Sequence, residues 1–151
     1  MEILQYLHSY LRWVVLALAL IVIAKSLMGW LGNKSYEKLD NTLSASFLGS
    51  LHLQLILGLL LYVIGDKGLS LITNNGMAEV MKDADLRFWA VEHMTTMIIA
   101  IVVATIGRSK SKRVSEAVAK HKQVVIFYGI ALLLILSRIP WTQVPLLKGL
   151  G

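Results

Sequence analysis

The chain has no cysteine and only two prolines, and just 16% of its 151 residues are charged. Without cysteine there is no disulfide, no thiolate metal site and no covalent haem attachment through a Cys-x-x-Cys-His motif. Any prosthetic group has to be held non-covalently, or through His, Met, carboxylates and backbone. The charge content lies well below the roughly 25% of ordinary soluble domains, which argues against one. Acidic residues are the scarcer sign, nine against fifteen Lys and Arg. No nucleophile triad, phosphate-binding loop, paired catalytic carboxylates, internal repeat or low-complexity segment appears, so hydrolysis and phosphoryl transfer have no support.

What the chain has instead is apolar length. Hydrophobic residues make up 56% of it, and its mean hydropathy is +0.67. They gather into four runs, Leu11 to Leu31, Leu43 to Ile64, Phe88 to Ile106 and Val124 to Ile139. Each is close to the ~20 residues that a helix needs to cross ~30 Å of hydrocarbon. The expectation is an all-α, integral membrane, antiparallel four-helix bundle in one domain, with spans at about 7–31, 43–64, 86–106 and 119–139. The first run lacks the basic leader of a signal peptide and reads as a retained span.

Charge is sorted between the connections. From 107 to 122 lie Arg108, Lys110, Lys112, Arg113, Lys120 and Lys122 against Glu116, whereas 65 to 86 carries Lys67 and Lys82 against Asp66, Glu79, Asp83 and Asp85. The positive-inside rule then puts the basic segment and the 32–42 connection in the cytoplasm, and both termini in the periplasm of a bacterial inner membrane. The basic segment has no interleaved aromatics or base-reading motif, so no nucleic-acid partner is expected. Asp83 or Asp85 is expected to cap the third helix and Ser115 the fourth, Gly32-Asn33 ends the first, and Pro140 stops the fourth. Asn74-Asn75-Gly76 marks a turn, followed by a short stretch lying on the membrane surface.

Four histidines fall one to each helix: His8, His52, His93 and His121. Helix midpoints place His8 ~14 Å and His93 ~5 Å above the midplane, and His52 ~3 Å and His121 ~12 Å below it. His8 and His121 taken alone read as interfacial, while His52 and His93 lie where an unpaired polar group is costly. One reading is interhelical hydrogen bonding. The other is axial ligation of a haem by His52 and His93, each presenting a neutral nitrogen across the bundle core. Ala45 and Gly49 beside His52, and Trp89, Thr96, Met97 and Ala100 beside His93, leave space for a flat ring. The second nitrogens then need partners such as Gln54, Ser50, Thr95, Thr96 or a backbone carbonyl. Pairing His8 with His93 and His52 with His121 instead makes two haems, ~17 Å apart. The sequence leaves one haem and two equally open.

Arginines stand beside tryptophans at three outer helix ends: Arg12-Trp13, Arg87 with Trp89, and Arg138 with Trp141. They read as an interfacial belt, or as cations converging on haem propionates. Glu92 lies at the depth of Arg12, and the expectation is that the two pair, the alternative being that Glu92 relays protons to a site near His93. Lys25 is expected to snorkel, without chemistry of its own.

The strings LHSYLRW (7–13), His52-x-Gln54-x3-Gly58-x2-Leu61-Tyr62, RFWAVEH (87–93), IGRSKSK (106–112), KHK (120–122) and IPW (139–141) cover most of the chain. Together they resemble small four-helix, cytochrome b-like membrane proteins of Bacteroidetes-type bacteria. The resemblance implies haem b ligated by some of His8, His52, His93 and His121, exchanging electrons with quinone or a periplasmic redox protein. Two other functions compete. One is copper or other metal handling through His93, Met94 and Met97. The other is a cofactor-free accessory or assembly subunit, docking through the basic segment. Association with another copy or within a larger membrane complex stays open.

Overall fold

The computed structural model describes residues 1–143 and is all-helical over them. Seven α-helices follow one another: α1 (Glu2–Leu31), α2 (Lys38–Ile64), α3 (Leu69–Asn75), α4 (Met77–Lys82), α5 (Ala84–Arg87), α6 (His93–Arg113) and α7 (Ala117–Ser137). A π-helical turn, Phe88–Glu92, joins α5 to α6, and a 3-10 turn, Trp141–Gln143, follows α7. Four stretches are long and apolar enough to cross a membrane: Glu2–Leu31, Lys38–Asn75, Ala84–Arg113 and Ala117–Ser137.

The helices outrun the apolar runs because the chain has few breakers. Helix α6 carries on through the basic segment to Arg113, so the expected 107–122 connection contracts to Val114, Ser115 and Glu116. Lys110, Lys112 and Arg113 in its last turn complement the helix dipole. The 65–86 connection is itself mostly helical, broken at Gly76, whose φ of +81° suits glycine. Asp83 accepts the Leu86 N–H as the expected cap. Glu116 rather than Ser115 stands at the start of α7, without a side-chain cap bond. At the start of α2 a capping box forms between Glu37 and Asp40.

Buried positions repeat at spacings of three and four. On α1 they are Val15, Leu16, Ala19, Val22, Ser26 and Gly29; on α2 Asp40, Ser44, Phe47 and Leu51; on α7 His121, Val124, Tyr128, Ala131 and Ile135. That spacing keeps one seam of each helix against its neighbours, as in knobs-into-holes packing. Helix α1 packs on α2 and α7, and α6 packs on α7 and α2, so α1 and α6 stand diagonally across the bundle. Helix α6 buries the small residues Ala100, Ala104, Gly107 and Ser111, and a Cβ on Gly107 would strike the Phe127 side chain. The outward faces, by contrast, carry Leu20, Ile21, Leu53, Ile56, Leu60, Val63, Ile98, Val102 and Leu133.

Candidate functional site

Two of the four histidines meet. His8, two turns into α1, and His93, the first residue of α6, stand with ring centroids 6.5 Å apart and ring planes at 70°. Both line an apolar cavity of about 60 Å³ with Arg12, Gln54, Gly58, Met94 and Met97. Above it a larger vestibule of about 430 Å³ shares Arg12, Gly58, His93 and Met94, and gains the polar side chains of Glu2, Gln5, Ser9, Asp66, Lys67 and Gln143. The combined space is mostly apolar at its floor and polar at its mouth.

The π turn explains how His93 comes to face inward. Its N–H bonds Phe88 O, five residues back, instead of the usual four. A 3.6-residue helix puts positions i and i+5 about 140° apart, on different faces. The wider turn stacks them, and Arg87 Nε accordingly donates to Glu92 Oε1 at 2.9 Å. Glu92 also lies 3.7 Å from Arg138 Nε. The expected Glu92–Arg12 pair therefore gives way to Glu92 with Arg87 and Arg138, because the turn directs Glu92 toward the end of α7 and away from α1.

Each imidazole is tied differently. His93 Nδ1 donates to Arg138 O at 2.7 Å, and since a carbonyl can only accept, the proton sits on Nδ1. Its Nε2 is thereby left with a free lone pair, the state a metal-ligating nitrogen requires. Arg138 O is available because α7 ends there, ahead of Pro140. On the other side Gln54 Nε2 donates to the backbone oxygen of His8 at 2.8 Å. A Cβ on Gly58 would lie 3.2 Å from His8 Cε1, so this glycine lets α2 pass close to the ring.

Four buried polar atoms around the cavity have no hydrogen-bond partner among the described residues: His8 Nδ1, Arg12 Nε, Arg12 Nη2 and Gln54 Oε1. Buried groups of this kind cost free energy unless something meets them. Arg12 also lies over the Trp13 ring at 5.7 Å. Of the three arginines expected to converge, only Arg12 lines both cavities. Arg87 is hydrogen-bonded to Glu92, while Arg138 Nε lies 3.7 Å from Glu92 Oε2 and has no hydrogen-bond partner among the described residues.

The other two histidines go elsewhere. His52 is exposed on the outer face of α2, with Thr105 Oγ1 at 3.5 Å as its polar contact. Ala45 and Gly49, expected to frame it, are exposed on that same face. His52 therefore does not face His93. His121 is 1% exposed at the opposite end of the bundle. Its Nε2 donates to Ser35 O at 3.0 Å and its Nδ1 stands 3.4 Å from Ser26 Oγ. With both nitrogens committed and Gly29 flat against its ring, it clamps α7 to α1 and leaves no His52–His121 pair.

Several partners had no clear signal in the sequence. Lys25 forms an ion pair with Asp40, whose side chain is 1% exposed, so it does more than snorkel. Ser44 and Tyr128 join through their hydroxyls at 2.7 Å. Tyr62 Oη donates to Ala90 O at 2.8 Å, bridging α2 to the π turn. Among the described residues no group of three or more His, Asp or Glu side chains gathers as a bare-metal site. Comparison with known proteins finds no matching family model, no matching curated protein and no matching solved structure.

Proposed function

We propose that the chain is an antiparallel four-helix bundle of a bacterial inner membrane that holds one b-type haem between His8 and His93 and carries electrons at its periplasmic side. The reading of the residues agrees here with the resemblance to cytochrome b-like proteins. The membrane setting is supported by four helices long and apolar enough to span it and by the large aliphatic side chains on their outward faces. The antiparallel course is supported by side chains from the start of α1, the end of α2, the start of α6 and the end of α7 lining one cavity. The basic segment on the opposite side supports termini in the periplasm, although residues 144–151 lie outside the described residues.

The observation that carries the haem is the spacing of the imidazoles. Two metal–nitrogen bonds of ~2 Å and ~1 Å from each nitrogen to its ring centre put ligating rings roughly 6 Å apart. The observed 6.5 Å matches that centroid spacing, and the 60 Å³ cavity would have to open into the 430 Å³ vestibule to admit the macrocycle. A haem bound there supplies one-electron transfer. The chain does the rest: Arg138 O orients His93, Gln54 holds the His8 backbone, Arg12 would face a propionate, and Met94, Met97, Leu51 and Ile101 would line the apolar side of the group. The polar mouth suits exchange with a water-soluble periplasmic partner more than with a quinone in the lipid.

A copper site is the second reading, favoured by Met94 and Met97 lining the same cavity as both histidines. An unpartnered guanidinium beside a bare cation weighs against it, whereas the same guanidinium favours an anionic group. A reduced-minus-oxidised absorption spectrum with haem quantitation tests the proposal. One haem per chain with a sharp α-band is expected; protein made with ample haem that shows no Soret band, and that binds copper instead, would favour the second reading.

A further inference from the structure

The π turn between α5 and α6 sits immediately before His93, and three side chains pin it from different directions. Such turns loosen the regular ladder and leave carbonyls for other donors. Tyr62 on α2 takes that of Ala90, a residue 2% exposed. Arg87 reaches back to Met81 O at 2.8 Å while binding Glu92 at 2.9 Å. Glu92 in turn approaches Arg138, whose own carbonyl receives His93 Nδ1–H.

We propose that Tyr62 and Glu92 are positioning residues for His93: through the π turn they set its ring angle, and through Arg138 they keep its proton on Nδ1. Tyr62 fixes the turn against α2, and Glu92 holds it through Arg87 while its charge faces Arg138 at the end of α7. Without both anchors, the turn can relax toward regular helix. One residue's worth of rotation is ~100°, which carries the imidazole away from the Arg138 carbonyl and the cavity. Without that carbonyl nothing holds the proton on Nδ1, and it can move to Nε2, the nitrogen that a ligand role needs bare. The Tyr62 hydroxyl thus acts on a ring it does not touch.

The first readout is independent of haem. In haem-free protein labelled with 15N-histidine, the His93 signals, assigned by their loss in His93→Asn, should show the Nδ1–H tautomer. Tyr62→Phe should move the two nitrogen shifts toward the Nε2–H pattern, with Tyr6→Phe, which removes another hydroxyl from the same vestibule, leaving them in place. Glu92→Gln should act in the same direction, and serves alone if Tyr62→Phe does not fold. Unchanged His93 shifts in both folded variants would overturn the proposal, as would an equal shift in Tyr6→Phe. The second readout rests on the haem reading. Ring planes at 70° predict a strongly anisotropic low-spin ferric EPR signal, which Tyr62→Phe should displace. A wild-type protein that binds no haem defeats that reading and leaves the tautomer measurement to decide this one.

Discussion

The imidazole of His93 is held by the carbonyl oxygen of Arg138, 2.7 Å from Nδ1, at the point where α7 runs out of helix. A helix terminus leaves its last carbonyls without intrahelical donors, and here one of them orients a ligand candidate on a neighbouring helix. The same residue's side chain faces Glu92, so one end of α7 organises two neighbours in the RFWAVEH segment.

His8→Ala and His93→Ala should each abolish bound haem in folded protein, while His52→Ala retains it, because only the first two line the cavity. Optical spectra of the purified variants check this. Haem loss in His52→Ala with retention in His8→Ala would contradict the assignment.

Arg12→Gln should weaken haem retention by about tenfold, the loss of one charge-assisted contact near the site. Arg108→Gln, at the opposite end of the bundle beside Asn41 O, should leave retention unchanged. Competition with a haem scavenger measures the two side by side; equal losses would mean that Arg12 has no special place.

The Lys25–Asp40 pair should respond unequally to truncation. Lys25→Met leaves a buried carboxylate without its cation, at a cost of about 3–5 kcal/mol. Asp40→Asn leaves a lysine whose side chain is still 33% exposed and can reach water, so its effect should be smaller. Reversible unfolding in mixed micelles ranks the variants, and Asp40→Asn proving the more damaging would refute the reading.

Glycine substitutions should separate by what surrounds them. Gly29→Ala drives a methyl into the His121 ring and Gly107→Ala into Phe127, each costing about 1–3 kcal/mol. Gly49 and Gly129 have open space at the Cβ position. There alanine should be neutral or stabilise by up to about 1 kcal/mol through helix propensity. Thermal unfolding in detergent distinguishes the two groups.

Much of the architecture was legible from residues 11–31, 43–64, 88–106 and 124–139 alone, since the ability to span ~30 Å depends only on local apolar length. The ends were less so. Arg108 to Arg113 read as a connection because they are charged, yet charge does not break a helix, and the positive side chains suit the end of one. Within the site, His8, His93 and Arg12 were visible as polar residues in greasy helices. Their pairing was not, and the depth arithmetic put His8 and His93 ~9 Å apart in level, a difference that helix tilt and offset easily absorb. His121 in Lys120-His121-Lys122 looked solvated, but the helical turn directs it inward between two lysines that point elsewhere.

Composition and apolar length by themselves determined an all-helical chain with four potential spans, one histidine on each, and no cysteine chemistry, because these are sums over local stretches. Tertiary structure alone decided that His93 faces His8 rather than His52, that Glu92 takes Arg87 and Arg138 rather than Arg12, and that His121 is a clamp. Those outcomes depend on the azimuth of each helix, and the π turn at Phe88–Glu92 shifts that azimuth by the angle of an inserted residue, which apolar periodicity does not record.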